Sequence, residues 1–355
     1  MIIDIVLGYA VGRGGLESVL TIVSQELRKL GHHVRLFFCI PPAYSEWEKN
    51  LPETYCIDIG HTKSFNGELE VIRYSLGYRK LMEVLGEPDV VIATHEPILS
   101  LICNLALCHL GNERPPIVSW LHGPPEAYPE PRLIRYSDSH LAISKSVAEK
   151  IKSYVNTEKT PIYYVGNPVE IEGVSRLNRS SENLELLYVG RLDNHQKRLD
   201  ILFDALNKLS GKWRLKIIGE GQDKVALQNL AIKLGISQNI SWLGWKENPW
   251  KEVRTASLLL LSSDYEGFGL VLVEALGRGI PVVSTKCEGP DEIIKEGVNG
   301  WLYPRGDSQA LSKILQNIID GKIVLPSEEV CIESVKSYSV NSVVRRMEKI
   351  LLDII

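Results

Sequence analysis

Short apolar runs alternate with amphipathic stretches along the whole chain. In the first half the runs fall at 2–8, 34–39, 89–93, 117–121 and 140–143. In the second half they fall at 184–189, 213–218, 240–243, 257–261 and 281–284. Between the first two lies segment 15–30, whose apolar residues Leu16, Val19, Leu20, Val23, Leu27 and Leu30 recur at helical spacing. Gly31 follows as a stop signal. Unbroken apolar strands separated by helices predict parallel sheets covered on both faces. The polar, aperiodic segment 170–183 reads as a connection between two such sheets. The stretch 335–355 carries Val340, Val343, Val344, Met347, Ile350, Leu351 and Ile354 and predicts a closing helix. The expectation is two doubly wound α/β domains, at 1–166 with the closing helix 336–355 and at 167–335. Ligands of such sheets bind at the carboxyl ends of strands, so the cleft between domains is the expected site.

The 355 residues are 44% hydrophobic and 24% charged, which excludes disorder and coiled coil as the dominant state. Forty Lys and Arg against 44 Asp and Glu leave a net charge of −4, so nucleic acid is not an expected partner. The six cysteines form no Cys-x-x-Cys pair, and Cys39, Cys103 and Cys108 lie in apolar runs. They read as buried thiols of a reducing compartment. The amino terminus lacks the pattern of a signal peptide, and no window is apolar enough to cross a bilayer. A cytoplasmic protein is expected. Segment 71–85 joins Arg73, Arg79 and Lys80 to Tyr74 and Tyr78 and is a candidate for peripheral contact with anionic lipid at the inner face of the cell membrane. Residues 1–165 nevertheless hold 16 Lys/Arg against 19 Asp/Glu, so a solvated face is the plainer reading.

Two segments carry chemistry. Gly12, Gly14 and Gly15 sit between the first strand and the first helix, where the backbone can approach a phosphate or a sugar hydroxyl. The dinucleotide fingerprint fails there, because Glu17 stands where its third glycine would be, and a tight turn without a ligand is the alternative. In segment 262–299, Glu266 closes a loop after an apolar strand, and Gly267 and Gly269 allow a sharp entry into a helix. The amides of Phe268, Gly269 and Leu270 would then be free for an anionic ligand. Glu274 lies among Leu270, Val271, Leu272, Val273, Ala275 and Leu276. A carboxylate there needs a partner, either a ribose diol or an internal bond.

These residues make the chain resemble the family 4 retaining glycosyltransferases of two-domain GT-B architecture. The resemblance rests on Glu266 and Glu274 with seven residues between them, on Tyr188-Val189-Gly190-Arg191-Leu192 followed by Lys197, and on the glycine loop. Trp120-Leu121-His122-Gly123 and Gly166-Asn167-Pro168 also fit. Within the family, Gln196-Lys197-Arg198, Leu243-Gly244-Trp245, Pro249-Trp250 and Cys287-Glu288-Gly289-Pro290-Asp291 resemble the lipopolysaccharide core 1,6-galactosyltransferases.

The resemblance implies transfer of a hexose, galactose or glucose, from a UDP-sugar to a hydroxyl of a glycan or glycolipid. It implies that Arg191 and Lys197 meet the diphosphate and that Glu266 holds hexose hydroxyls. Glu274 is implied to hold the ribose, while the 268–270 amides grip sugar and phosphate. His122 is placed beside the donor sugar, Gly14 and Gly15 face the diphosphate and the acceptor, Gly190 and Asn167 line the site, and the base lies near Trp245. The first domain is implied to bind the acceptor and the second the nucleotide-sugar donor. No metal and no separate cofactor are implied, since the Asp-x-Asp pair of metal-dependent sugar-nucleotide enzymes is absent. A sugar-nucleotide epimerase or hydrolase of similar architecture, or a non-catalytic sugar-binding protein, are the rival readings.

Overall fold

A computed structural model describes residues 1–58, 68–180 and 183–355. They form two compact units, Met1–Pro168 with Val340–Ile355, and Val169–Ser339.

The first unit is built on one parallel sheet. Its strands are β1 (Ile2–Leu7), β2 (His33–Phe38), β3 (Glu53–Cys56), β4 (Val90–Thr94), β5 (Ile117–Leu121), β6 (Ser139–Ala142) and β7 (Ile162–Tyr164), in the order β3-β2-β1-β4-β5-β6-β7. The chain starts at the centre, winds outward through β2 and β3, then returns to β4 beside β1. Leu7 is in register with both Phe38 and Thr94, so the loops after β1, β2 and β4 leave the sheet at one level. Such a reversal of winding is where doubly wound sheets bind ligands. Helix Gly15–Lys29 buries Val19, Leu20, Val23 and Leu27, the face its spacing predicts. The closing helix Val340–Ile354 belongs to this unit, and its Glu348 meets His32 at 2.9 Å.

One charge lies inside this core. Asp4 on β1 accepts from Arg35 Nε at 2.6 Å and from the Tyr78 hydroxyl at 2.8 Å. The Arg35 guanidinium also donates to the carbonyls of Leu85 and Gly86, closing the end of helix Glu68–Leu85. Every polar atom of the pair is thus occupied, which a buried ion pair requires. Burial still raises the Asp4 carboxyl above its ordinary range. Tyr78→Phe removes one donor from a buried carboxylate and is expected to destabilise the protein by about 1–3 kcal/mol. The midpoint of urea unfolding measures this, and an unchanged midpoint would refute the account.

The second unit holds β8 (Leu184–Val189), β9 (Trp213–Ile218), β10 (Ile240–Gly244), β11 (Leu258–Leu261), β12 (Val282–Thr285) and β13 (Gly300–Tyr303), in the order β10-β9-β8-β11-β12-β13. Its winding reverses between β8 and β11. Leu186, Tyr188, Phe203, Leu215, Ile217 and Leu260 form part of its core.

Several expectations need correction. Strands β3, β7 and β13 are not marked by long apolar runs. They are three or four residues long and close the outer edges of the sheets, where continuous burial is not required. Segment 170–180 is no free connection. Ile171 and Leu177 are buried, and Arg179 donates to the carbonyls of Pro326 and Gly279 at 2.5 Å each. Residues 181–182 of that segment lie outside the described residues. Cys39 and Cys103 are buried as expected, but Cys108 is exposed at the end of helix Ile98–Leu107. Tyr74 and Tyr78 face the core at 1% and 0% exposure, so neither can meet lipid. The outer face of their helix carries Leu69, Ile72 and Leu76 instead.

Candidate active site

In the second unit, the loops that follow β8 and β11 flank the reversal of winding and are tied to each other. An added Cβ at Gly219 would fall 1.8 Å from the Gly190 carbonyl oxygen, so the ends of β8 and β9 approach at backbone distance. Beyond Gly190, Arg191 is exposed and donates to Gln196 Oε1 at 2.9 Å, while its carbonyl accepts from the Tyr188 hydroxyl at 2.8 Å. Lys197 ends a short helical turn, Asn194–Lys197. Gln196 then bonds the β11 loop through its carbonyl to the Asp264 amide at 2.8 Å, and through Nε2 to the Tyr265 carbonyl at 3.1 Å. Ser262 Oγ donates to the Lys197 carbonyl at 2.7 Å. Arg198, at φ +48°, joins Asp200 and Asp264 through its guanidinium.

This stitching brings Lys197 Nζ to 2.6 Å from Glu266 Oε1, with both side chains 12% exposed. Ser263 Oγ donates to the same carboxylate oxygen at 2.6 Å. Glu266 therefore keeps Oε2 for another partner. Gly269, at φ +96°, turns the chain into helix Leu270–Gly277. The first amides of that helix have no partner within it. Phe268 is buried with its ring 5.2 Å from Tyr338, and Gly289 lies so close that a Cβ there would fall 2.5 Å from the Phe268 carbonyl oxygen. The helix start is thus held by backbone contact as well as by Gly269.

Glu274 lies one turn further along. Its Oε2 accepts from Trp250 Nε1 at 3.1 Å, and Arg278 sits over the Trp250 ring at 4.5 Å. Burial raises the Glu274 carboxyl above its ordinary range, against the opposing charge of Arg278 and the indole bond. The structure therefore supplies an internal partner for one oxygen of Glu274.

In the first unit, Gly14 caps helix Gly15–Lys29, and the buried Glu17 folds back across the loop. The Gly12 amide donates to Glu17 Oε1 at 3.0 Å, and a Cβ on Gly14 would fall 2.9 Å from Glu17 Oε2. An acid of the chain's own thus occupies part of the glycine loop, while Gly15 remains exposed. His122 follows β5, with its ring 4.5 Å from that of Trp120. Its Nε2 is buried without a partner among the described residues. Burial, aided by nearby His95, lowers its pKa to about 3, so the imidazole is neutral. Asn167 is buried in this unit, rather than opening the second, and its Oδ1 has no partner among the described residues.

Residues 13–172 match the model for Glycosyltransferase Family 4, and residues 172–338 match that for glycosyl transferases group 1. The lipopolysaccharide 1,6-galactosyltransferase of Salmonella typhimurium is 32% identical over 326 residues, 88% of each chain. The chain belongs to the family 4 glycosyltransferases. A solved lipopolysaccharide outer core galactosyltransferase, WaaB in its apo form, is 28% identical with a TM-score of 0.87, and the match covers 100% of both chains. Anabaena Alr3699/HepE, solved in complex with UDP and glucose, is 20% identical with a TM-score of 0.78, over 99% of this chain and 100% of that one. The two parallel sheets are those of the GT-B fold.

In this glycosyltransferase, Gly190, Arg191, Lys197, Glu266, Phe268, Gly269 and Leu270 gather at the carboxyl ends of β8 and β11, with Glu274 on the helix that follows. Gly14, Gly15 and His122 stand at the carboxyl ends of β1 and β5. Trp245 follows β10 and is 46% exposed; the indole that meets Glu274 is that of Trp250. Sequence reasoning quoted Trp250 only as part of a motif and missed the roles of Ser263 and Glu17. Glu17 was noted only as a missing glycine. An acid in the first turn of a helix that follows a glycine loop was the signal available. Among the described residues, no three His, Cys, Asp or Glu side chains cluster as metal ligands would.

Proposed function

We propose that this glycosyltransferase moves galactose or glucose from a UDP-sugar to a hydroxyl of a glycan or glycolipid, with retention and without a metal ion. The observation that carries the reading is Lys197 held against Glu266 at 2.6 Å, beside Arg191, at the reversal of the second sheet. The galactosyltransferase named for the Salmonella relative and the UDP named for the Anabaena structure support the choice of donor.

The chemistry follows from charge. As the bond between C1 and the diphosphate oxygen breaks, negative charge grows on the diphosphate, and fixed cations and amides lower that barrier. Arg191 offers a planar fork for two phosphate oxygens. Lys197 shares its ammonium between the incoming diphosphate and Glu266. The free Glu266 Oε2 takes a hexose hydroxyl, so one ion pair orients both halves of the donor. Glu274 takes the ribose with the oxygen that Trp250 leaves open. The acceptor oxygen adds to C1 on the face the diphosphate leaves, and its proton passes to a leaving phosphate oxygen. Neutral His122 beside the sugar places no positive charge against the developing cation at C1. Glu266 is held by two hydrogen bonds and orients hydroxyls rather than attacking carbon.

Incubation of UDP-galactose and UDP-glucose with a panel of glycan acceptors tests this reading. UDP release should depend on the acceptor, proceed in EDTA, and give an α-linked product by proton NMR. Loss of activity in EDTA that Mg²⁺ restores, a β-linked product, or UDP release without an acceptor would each overturn part of it.

A further inference from the structure

A second set of polar groups stands near His122 in the first unit, and nothing above assigns a role to His95, Glu96 or Tyr128. His95 leaves the end of β4 as His122 leaves the end of β5. Its backbone is left-handed at φ +84°, an uncommon conformation for a residue with a side chain, and its amide donates to the Trp120 carbonyl at 3.1 Å. The His95 ring stands edge-on to the Tyr128 ring at 5.5 Å. The Tyr128 hydroxyl reaches Gly123, where an added Cβ would lie 3.1 Å from it. Burial hinders ionisation of the Tyr128 hydroxyl, and Glu96, which follows His95, adds to it by its nearby charge.

These groups lack partners. His95 Nδ1 and His122 Nε2 are buried and unbonded among the described residues. Neither the Glu96 carboxyl nor the Tyr128 hydroxyl makes a hydrogen bond or ion pair among those residues. Two buried polar atoms without partners at the ends of adjacent strands are unusual, because buried polar groups are nearly always paired. A backbone held in a rare conformation beside them points the same way.

Their chemistry narrows the ligand. Burial lowers the His95 pKa to about 4, so at neutral pH both imidazoles are uncharged, each with one donor and one acceptor. The phenol adds a hydroxyl, and the carboxyl adds acceptors. The four groups supply no cation, so a diphosphate is not suited to them. A sugar ring, whose hydroxyls both donate and accept and whose C–H face can lie on an aromatic ring, is suited. We propose that His95, Glu96 and Tyr128 form a subsite that binds a sugar ring of the acceptor through its hydroxyls. This assignment rests on the transferase reading only in calling that sugar the acceptor.

Saturation-transfer NMR on the whole protein, with methyl α-D-glucopyranoside and UDP present together, tests it. The wild type should saturate both. Tyr128→Phe and Glu96→Gln preserve shape, and His95→Asn keeps a residue that tolerates the left-handed backbone. Each should weaken the glucoside signal by about fivefold or more, as losing one hydrogen bond does, and leave the UDP signal unchanged. In the transfer assay the same variants should raise the acceptor KM while the donor KM stays within about twofold. No glucoside signal with the wild type, equal glucoside signals in all three variants, or UDP signals lost alongside them would overturn the proposal. If UDP gives no signal in any protein while the glucoside signal depends on the three residues, the donor reading fails and the sugar subsite stands.

Discussion

Lys197→Ala is expected to lower kcat/KM by about 10²–10³, the usual effect of removing one preorganised charge from a developing anion. The loss should fall mainly on kcat, because the diphosphate carries more charge in the transition state than in the bound donor. Lys197 can act this way because it is fixed before the donor arrives. Glu266 holds its ammonium at 2.6 Å, and Ser262 holds its carbonyl at 2.7 Å. The substitution also leaves the largely buried Glu266 without its cation, so some loss of stability accompanies the kinetic effect. Steady-state kinetics, with the melting temperature measured on the same samples, separate the two. A change in kcat/KM below about twofold would remove Lys197 from the site, and an equal rise in donor KM with kcat intact would reduce it to ground-state binding.

The pairing of Lys197 with Glu266 shows where sequence reading stops. The strands that carry these residues were legible, because a parallel sheet covered on both faces needs unbroken apolar runs such as 184–189 and 257–261. That β8 lies beside β11, and so brings together residues 69 positions apart, follows from strand order, which no local pattern encodes. Glu266 and Glu274 were legible as a pair since one turn and one helix separate them. Trp250, the residue that holds Glu274, comes from an irregular loop with no periodicity to read. The arginine-bearing segment 170–180 looked solvated because it is polar, yet Arg179 Nη1 and Nη2 donate to carbonyls of its own unit. Helix Glu68–Leu85 is apolar on both faces, so spacing alone could not say that Tyr74 and Tyr78 turn inward while Leu69 and Ile72 turn out. His95 was hidden for a different reason. A histidine at a strand end is ordinary until its backbone conformation and its missing partner are seen.

Glu274→Gln is the other substitution with a large expected effect, and it should separate stability from function. Burial is the main influence on this carboxyl and lifts it above its ordinary value of 4.5, more than Arg278 and the Trp250 indole lower it. A carboxyl raised in this way favours folding while it is protonated, and that advantage disappears as pH rises through the folded-state pKa. At neutral pH the ionised form is therefore a net burden on the fold, one that glutamine lacks. The amide oxygen can still accept from Trp250 Nε1, so the local packing survives. The variant should melt at the same temperature as the wild type or a few degrees higher, in the manner of substitutions that relieve a strained functional site. The ribose, in contrast, would exchange bonds to a carboxylate for weaker bonds to a neutral amide. Hydrogen bonds to charged groups contribute about 1.5–3 kcal/mol against about 0.5–1.5 for neutral ones, so two of them predict a rise of about 10- to 100-fold in donor KM. Because the ribose is remote from the breaking bond and is held alike before and during reaction, kcat should change much less. Calorimetric melting and donor titration of the same preparation decide the matter. A melting point several degrees lower with donor KM unchanged would make Glu274 a structural acid bound to Trp250 and nothing more.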